Sequence, residues 1–249
     1  MSGVLIIQPL PHGSGPFAGG TGVENLLTRD PKEIWVAPSA EAQGIDIDMG
    51  AAVTVDSFFL GFTNAGIGAT WNIYTATGLT TGLVVVHTGA MRPADSIGPR
   101  HHCFVRLAAP VTSRYFKIVA AQAGAAPLQS GALVLGLAFE QWREFGGGRV
   151  PVDTGERQDL TSGGFGIGDG VVKAQFNWSF IDLSDAEVAR LWAISRARGL
   201  RKPIVVVEDA DLPAAQNEAI HYGVFDRFQP YERSAPETTR WAFSVLGWE

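Results

Sequence analysis

Hydrophobic residues recur along most of this chain in short runs with a period of two. Residues 44–49 read Gly-Ile-Asp-Ile-Asp-Met, so Ile45, Ile47 and Met49 share one face of an extended strand while Asp46 and Asp48 share the other. Similar segments fall at 53–62, 70–75, 83–87, 103–107, 115–120 and 132–139, each bounded by turn-forming residues. Seven short strands between residues 24 and 145, with no helical period among them, predict a β-sandwich of the jelly-roll kind. Before them, residues 1–23 hold one aliphatic patch, Val4 to Ile7, and then a Pro- and Gly-dense stretch. That composition predicts an extended N-terminal arm ordered by a neighbour.

The pattern changes near residue 145, where the Gly146-Gly147-Gly148 triplet and, at 163–170, Gly-Gly-Phe-Gly-Ile-Gly-Asp-Gly mark a polar, glycine-rich passage. A domain boundary is placed there. Strand patterns return at 171–180, 204–208, 220–228 and 239–246, the last with Trp241, Phe243 and Val245 at alternate positions. One strong helix signal lies at 184–198. Ser184 and Glu187 form a capping box, Val188, Leu191, Trp192 and Ser195 share a face, Arg196 and Arg198 occupy the last turn, and Gly199 is the stop. Residues 146–249 are therefore expected to form a β-rich barrel or sandwich module crossed by a helix over 185–198. The whole chain is expected to be mainly β.

At 249 residues and 46% hydrophobic, the chain is long enough to bury a core in one large or two medium domains. Its 30 glycines and 14 prolines suit a turn-rich β protein. With a net charge of -6 and no basic run, it shows no electrostatic footprint for nucleic acid. Cys103 is the single cysteine, which precludes an intrachain disulfide and a thiolate metal cluster and points to synthesis in a reducing compartment. No apolar run approaches the ~18 residues of a membrane span, and the first residues lack a basic, signal-like segment. A chain that is neither inserted nor exported is expected.

Candidate chemistry is sparse. Gly164, Gly166 and Gly168 imitate a nucleotide-binding spacing, but no strand precedes them and no helix follows; a hairpin or inter-strand loop, with Phe165 and Ile167 as apolar contacts that order on assembly, fits better. His101 and His102 are adjacent, so on a strand they point to opposite faces and share a metal poorly. Asp46 and Asp48 stand ~7 Å apart on one strand face, a spacing open to a carboxylate pair, with the solvent face of an edge strand as the plainer reading. Glu208, Asp209 and Asp211 suggest an exposed acidic turn rather than a calcium loop. No nucleophile elbow is present. The expectation is a non-enzyme without metal or cofactor. Among seven tryptophans, Trp35 and Trp71 are the first-domain candidates for stacking on a sugar ring, with burial in the core as the alternative.

Taken in order, Glu24-Asn25-Leu26-Leu27, Ile45-Asp46-Ile47-Asp48-Met49-Gly50, Ala69-Thr70-Trp71-Asn72-Ile73-Tyr74 and Ser113-Arg114-Tyr115-Phe116-Lys117-Ile118 resemble the discoidin or galactose-binding-like jelly roll. The whole chain is similar to tail-tip proteins of long-tailed bacteriophages and prophages, on Asp30-Pro31-Lys32-Glu33-Ile34-Trp35, on residues 183–211 and on the closing strand 238–249. That resemblance implies a distal-tail or baseplate-type structural virion protein forming a homo-oligomeric ring, a hexamer or trimer. It also implies contacts with tail tube, hub and tape measure, a place at the virion tail tip after synthesis in the host bacterial cytoplasm, and no catalytic residues. Gly146, Gly147, Gly148, Phe165 and Ile167 are then candidate assembly loops. The alternative function is a carbohydrate-binding module that adheres to a host-surface glycan, without catalysis.

Overall fold

The computed structural model describes residues 3–91, 101–159, 161–210 and 217–248. In chain order the first strands are β1 (Gly3–Ile7), β2 (Ser14–Ala18), β3 (Trp35–Val36), β4 (Gln43–Thr63), β5 (Thr70–Ala76), β6 (Val84–Ala90), β7 (His101–Ala121), β8 (Gln129–Ser130), β9 (Ala132–Gly136) and β10 (Ala138–Trp142). There follow β11 (Gly148–Asp153), β12 (Glu156–Asp159), β13 (Phe165–Gly168), β14 (Val172–Leu183), helix α1 (Asp185–Arg198), β15 (Ile204–Val207), β16 (Ile220–Phe228), β17 (Glu232–Ala235) and β18 (Thr238–Gly247). The protein is mainly β, with one α-helix and no closed barrel among the described residues. No helix among them is long and apolar enough to cross a membrane.

Contacts divide the chain into two units, Gly3–Glu140 with Val205–Ile220, and Gln141–Ile204 with His221–Glu249. The boundary expected near 145 thus lies between Glu140 and Gln141, and a later segment returns to the first unit.

The first unit is a β-sandwich built on β4 and β7, two 21-residue strands that pair antiparallel along nearly their whole length. Sequence patterning splits each into two short strands; the structure carries each through as one, absorbing the breaks as register shifts at Asp48/Val53, Val55/Ser57 and Leu60/Thr63. Pro110 falls inside one such shift, without a registered partner on β4, which is where a strand tolerates the missing N–H. The sheet order is β2-β4-β7-β5-β6, with β9 also on β4. Ile45, Ile47, Phe58, Trp35, Trp71, Ile73, Phe116 and Ile118 fill the core, Phe58 meeting Phe116 edge-on at 5.8 Å.

The solvent-edge reading of Asp46 and Asp48 is corrected, because β2 covers that flank of β4 and pairs Ser14 with Asp48. Lys117 Nζ donates to Asp46 at 2.8 Å, and Arg114 grips Asp48 through Nε and Nη2 at 2.8 and 2.9 Å. This fork holds the Asp48 carboxyl far below the ordinary carboxylate range, with help from the Gly50 N–H. Asp56, also buried, accepts from Ser57 Oγ, Ala138 N and Arg106, which bridges on to Glu140.

The expected arm over residues 1–23 is also corrected. Val4, Leu5, Ile6 and Ile7 are buried, and β1 pairs antiparallel with β15, Leu5 against Val207 and Ile7 against Val205. A run of four aliphatics loses too much hydrophobic free energy in water, at about 25 cal/mol per Å², to remain an arm when an equally apolar strand is available.

In the second unit the sheet runs β16-β18-β14-β11, with β17 also on β18. Phe176, Trp178 and Phe180 of β14 register with Val245, Phe243 and Trp241 of β18 and turn into the core. Their rings stack, Phe176 on Trp178 at 4.9 Å and Trp178 on Phe243 at 5.6 Å. Helix α1 starts with the Ser184–Glu187 capping box, ends at Gly199 and buries Leu191, Ile194 and Ser195. Trp192, read from sequence as part of the apolar face, lies at its border, half exposed, against Tyr231 and Trp241.

Acid should weaken the first unit in two stages. Burial pushes His12 down to about 4, so unfolding takes up a proton and stability falls as pH drops from about 6.5 towards 4. The Asp48–Arg114 pair contributes stability above the ordinary Asp pKa of about 3.9 and loses it only in stronger acid. Thermal melts across pH should show His12→Asn flattening the upper stage, while the melting-temperature gap between wild type and Asp48→Asn stays constant down to about pH 5 and closes below about pH 4.

Candidate functional site

The alternation that sends Phe176, Trp178 and Phe180 inward sends Asn177 and Ser179 outward, beside their registered partners Ser244 and Ala242 on β18. On the other flank of β18, Arg227 of β16 registers with Ser244. These side chains floor a groove of about 620 Å³, within the ~300–1,000 Å³ range of small-ligand sites.

One wall is a bulged edge. Arg143 bridges to Phe180 and the Glu144 N–H donates to Ser179 O at 2.7 Å, yet pairing resumes only at Gly148 opposite Asn177. Phe145, Gly146 and Gly147 are left opposite Trp178 alone, two residues in excess. Gly146 takes φ +111°, which an L side chain rarely adopts, and a Cβ on Gly147 would stand 2.9 Å from Asn177 O and 3.2 Å from Trp178. The bulge throws Phe145 wholly into solvent at the groove's rim, at 105% relative exposure. Gln229, Pro230 and Glu232 form the opposite rim, and Arg240 donates to Glu144 at 2.7 Å. Arg227 and Glu232 have no ion-pair partner among the described residues.

The lining has no histidine, cysteine or lysine. It presents amides, hydroxyls, one free guanidinium, one free carboxylate and an exposed aromatic ring. Such a set can hydrogen-bond a polar ligand and pack against an apolar face of it.

A second feature is the ribbon that leaves this wall. β11 pairs with β14 from Gly148↔Asn177 to Asp153↔Val172, and β12 with β13 from Glu156↔Gly168 to Asp159↔Phe165. Most of it is exposed, including Val150, Val171, Val172 and Ile167, the last at 80%. Ile167 is thus open to solvent, and the Phe165 side chain lies outside the described residues. The glycine run at 163–170 carries a strand and leads into β14, so no helix N-terminus waits for a phosphate. A two-stranded ribbon with both faces in water is marginal by itself.

The sequence-nominated sugar-stacking residues are not available. Trp35 is completely buried, its Nε1 donating to Gly19 O at 2.9 Å, and Trp71 is buried in the same core beneath His87. Asp46 and Asp48 are each held by a cation, which removes them as a catalytic pair. His101 is buried, and His102 accepts from the Phe62 N–H while packing on Phe59 and Phe62. Among the described residues no group of three His, Cys, Asp or Glu side chains is placed to hold a metal. Glu208 is buried rather than set in an exposed turn, and Asp211 lies outside the described residues. Sequence reading passed over Phe145, Arg227, Gln229 and Glu232. The usable signal was an aromatic directly before three glycines, upstream of a strand alternating aromatic and small polar residues.

No family model matches this chain, and no curated protein matches it. Solved structures similar to part of it include chitosan-binding module 1 of a chitosanase/glucanase from Paenibacillus sp. IK-5, at 14% identity over 52% of this chain and 98% of that one, with a TM-score of 0.43. Chitosan-binding module 2 of the same enzyme, in complex with chitotriose, is 15% identical over 51% and 98%, with a TM-score of 0.42. CpGH89CBM32-6 of Clostridium perfringens is 10% identical over 51% and 98%, with a TM-score of 0.40. At these values the likenesses identify neither the family nor the ligand of this chain.

The geometry separates two substitutions. Phe145→Ala should leave stability within about 0.5 kcal/mol, since the ring is fully exposed, whereas Gly147→Val should destabilise by about 1–3 kcal/mol by pushing on the β14 backbone. Urea unfolding of the two variants measures both.

Proposed function

We propose that the chain is a non-catalytic carbohydrate-binding protein and that the groove of the second unit is its ligand site. The observation that carries this is Phe145, a phenyl ring held fully in water by a glycine-built bulge above a floor of amides and hydroxyls. Leaving such a ring exposed forgoes about 1.5–3 kcal/mol of burial, which a ligand with an apolar face recovers. A sugar ring offers that face in its C–H groups, and its hydroxyls suit Asn177, Ser179 and Gln229. Glycan-array binding by wild type, with signals reduced about tenfold in Phe145→Ala, is the expected result; an array with no bound glycan overturns the reading.

The exposed ribbon favours a second reading, compatible with the first. It is a structural subunit that assembles with copies of itself, as in the tail-tip ring, between tail tube and hub, that the sequence resemblance implies. Val150, Val171, Val172 and Ile167 supply the surface for a neighbour to cover. A ring would also present many grooves at once and raise weak glycan affinity by avidity. Light scattering should give a closed oligomer that Ile167→Asp with Val150→Asp disperses. A wild-type monomer at every concentration removes this reading.

A further inference from the structure

Resting on the carbohydrate reading of the groove, we infer that it selects neutral saccharides and rejects both acidic and cationic ones, with Arg227 and Glu232 reading sugar hydroxyls from opposite sides of the hydrogen-bond balance. Four charged residues line the groove: Glu144, Arg227, Glu232 and Arg240. Glu144 and Arg240 satisfy each other at 2.7 Å. Among the described residues that leaves one free cation and one free anion facing the same space.

The guanidinium of Arg227 only donates hydrogen bonds, and the carboxylate of Glu232 only accepts them. A hydroxyl does both, so a sugar can accept from Arg227 with one hydroxyl and donate to Glu232 with another. A uronic acid satisfies Arg227 but sets its carboxylate in the same groove as Glu232, and an unacetylated amino sugar meets the mirror problem at Arg227. Like charges brought together in a binding site cost affinity. The rest of the lining reinforces the choice, because Asn177, Gln229 and Ser179 are neutral groups that both donate and accept. Phe145 adds a platform that is indifferent to charge and needs only the apolar face of a ring.

Two consequences separate this from plain electrostatic attraction. Binding depends weakly on salt, since no net charge is neutralised. Removing one free charge exchanges specificity rather than merely weakening it: Glu232→Gln admits acidic sugars and Arg227→Gln admits cationic ones. Both residues are exposed, so their substitution leaves the fold intact, which thermal melts check.

The test is calorimetric titration of wild type, Phe145→Ala, Arg227→Gln and Glu232→Gln with three sets of oligosaccharides: neutral hexose oligomers, uronic-acid oligomers and deacetylated amino-sugar oligomers. Each is run at about 0.05 and 0.5 M salt. Wild type should bind a neutral set with a Kd that changes less than about twofold with salt, and each variant should weaken that binding about tenfold. Glu232→Gln should in addition bind uronic-acid oligomers more tightly than wild type does. Wild-type preference for a charged set, with a steep salt dependence, overturns the inference and leaves carbohydrate binding standing. Neutral binding untouched by all three variants overturns the groove as its site. Failure of wild type to bind any set overturns the carbohydrate reading with it.

Discussion

The antiparallel pairing of β14 with β18 is the constraint on which the second unit depends. Its register puts Phe176 beside Val245, Trp178 beside Phe243 and Phe180 beside Trp241, and the strand period of two leaves Asn177, Ser179, Ser244 and Ala242 on the opposite face. One alternation thus makes both the aromatic core and the groove floor. A slip of one residue would exchange them, placing rings in water and amides in the core, so the core that stabilises the unit also holds the groove in place. The bulge at Phe145, Gly146 and Gly147 is the local exception to that regularity, and it holds the Phe145 ring wholly in solvent.

The first unit follows the same logic with charges as well as rings. Its two long strands keep their register through several shifts, and Lys117–Asp46 and Arg114–Asp48 join β7 to β4 from one flank while Ile45 and Ile47 face the core on the other. Carboxylates that from spacing alone suit catalysis are thereby occupied in holding strands together. Its two tryptophans, Trp35 and Trp71, are core residues.

Much of the architecture was legible in the sequence because it rests on local patterns. Period-two alternation located most strands, and Ser184, Glu187 and Gly199 located α1 and both its ends. What stayed hidden depended on partners distant in sequence. Nothing near Val4 to Ile7 announces β15, some two hundred residues on, so a fully buried strand read as the start of an arm. Nothing near Trp35 announces its bond to Gly19 O in the core. The groove was illegible for the same reason: it gathers Phe145, Asn177, Arg227, Gln229 and Glu232 from four separate segments, and only the glycine triplet beside Phe145 hinted at an unusual backbone. Exposure of Trp192 also escaped the sequence, since an apolar residue in an amphipathic pattern reads as buried whatever the solvent boundary turns out to be.

Chemical-shift mapping of the labelled protein with a neutral oligosaccharide tests most directly where a saccharide binds. The predicted result is perturbation centred on Phe145, Asn177, Arg227, Gln229 and Glu232, with the first unit unchanged. Perturbations confined to loops of the sandwich, with the Phe145 ring resonances unmoved at saturation, would contradict it.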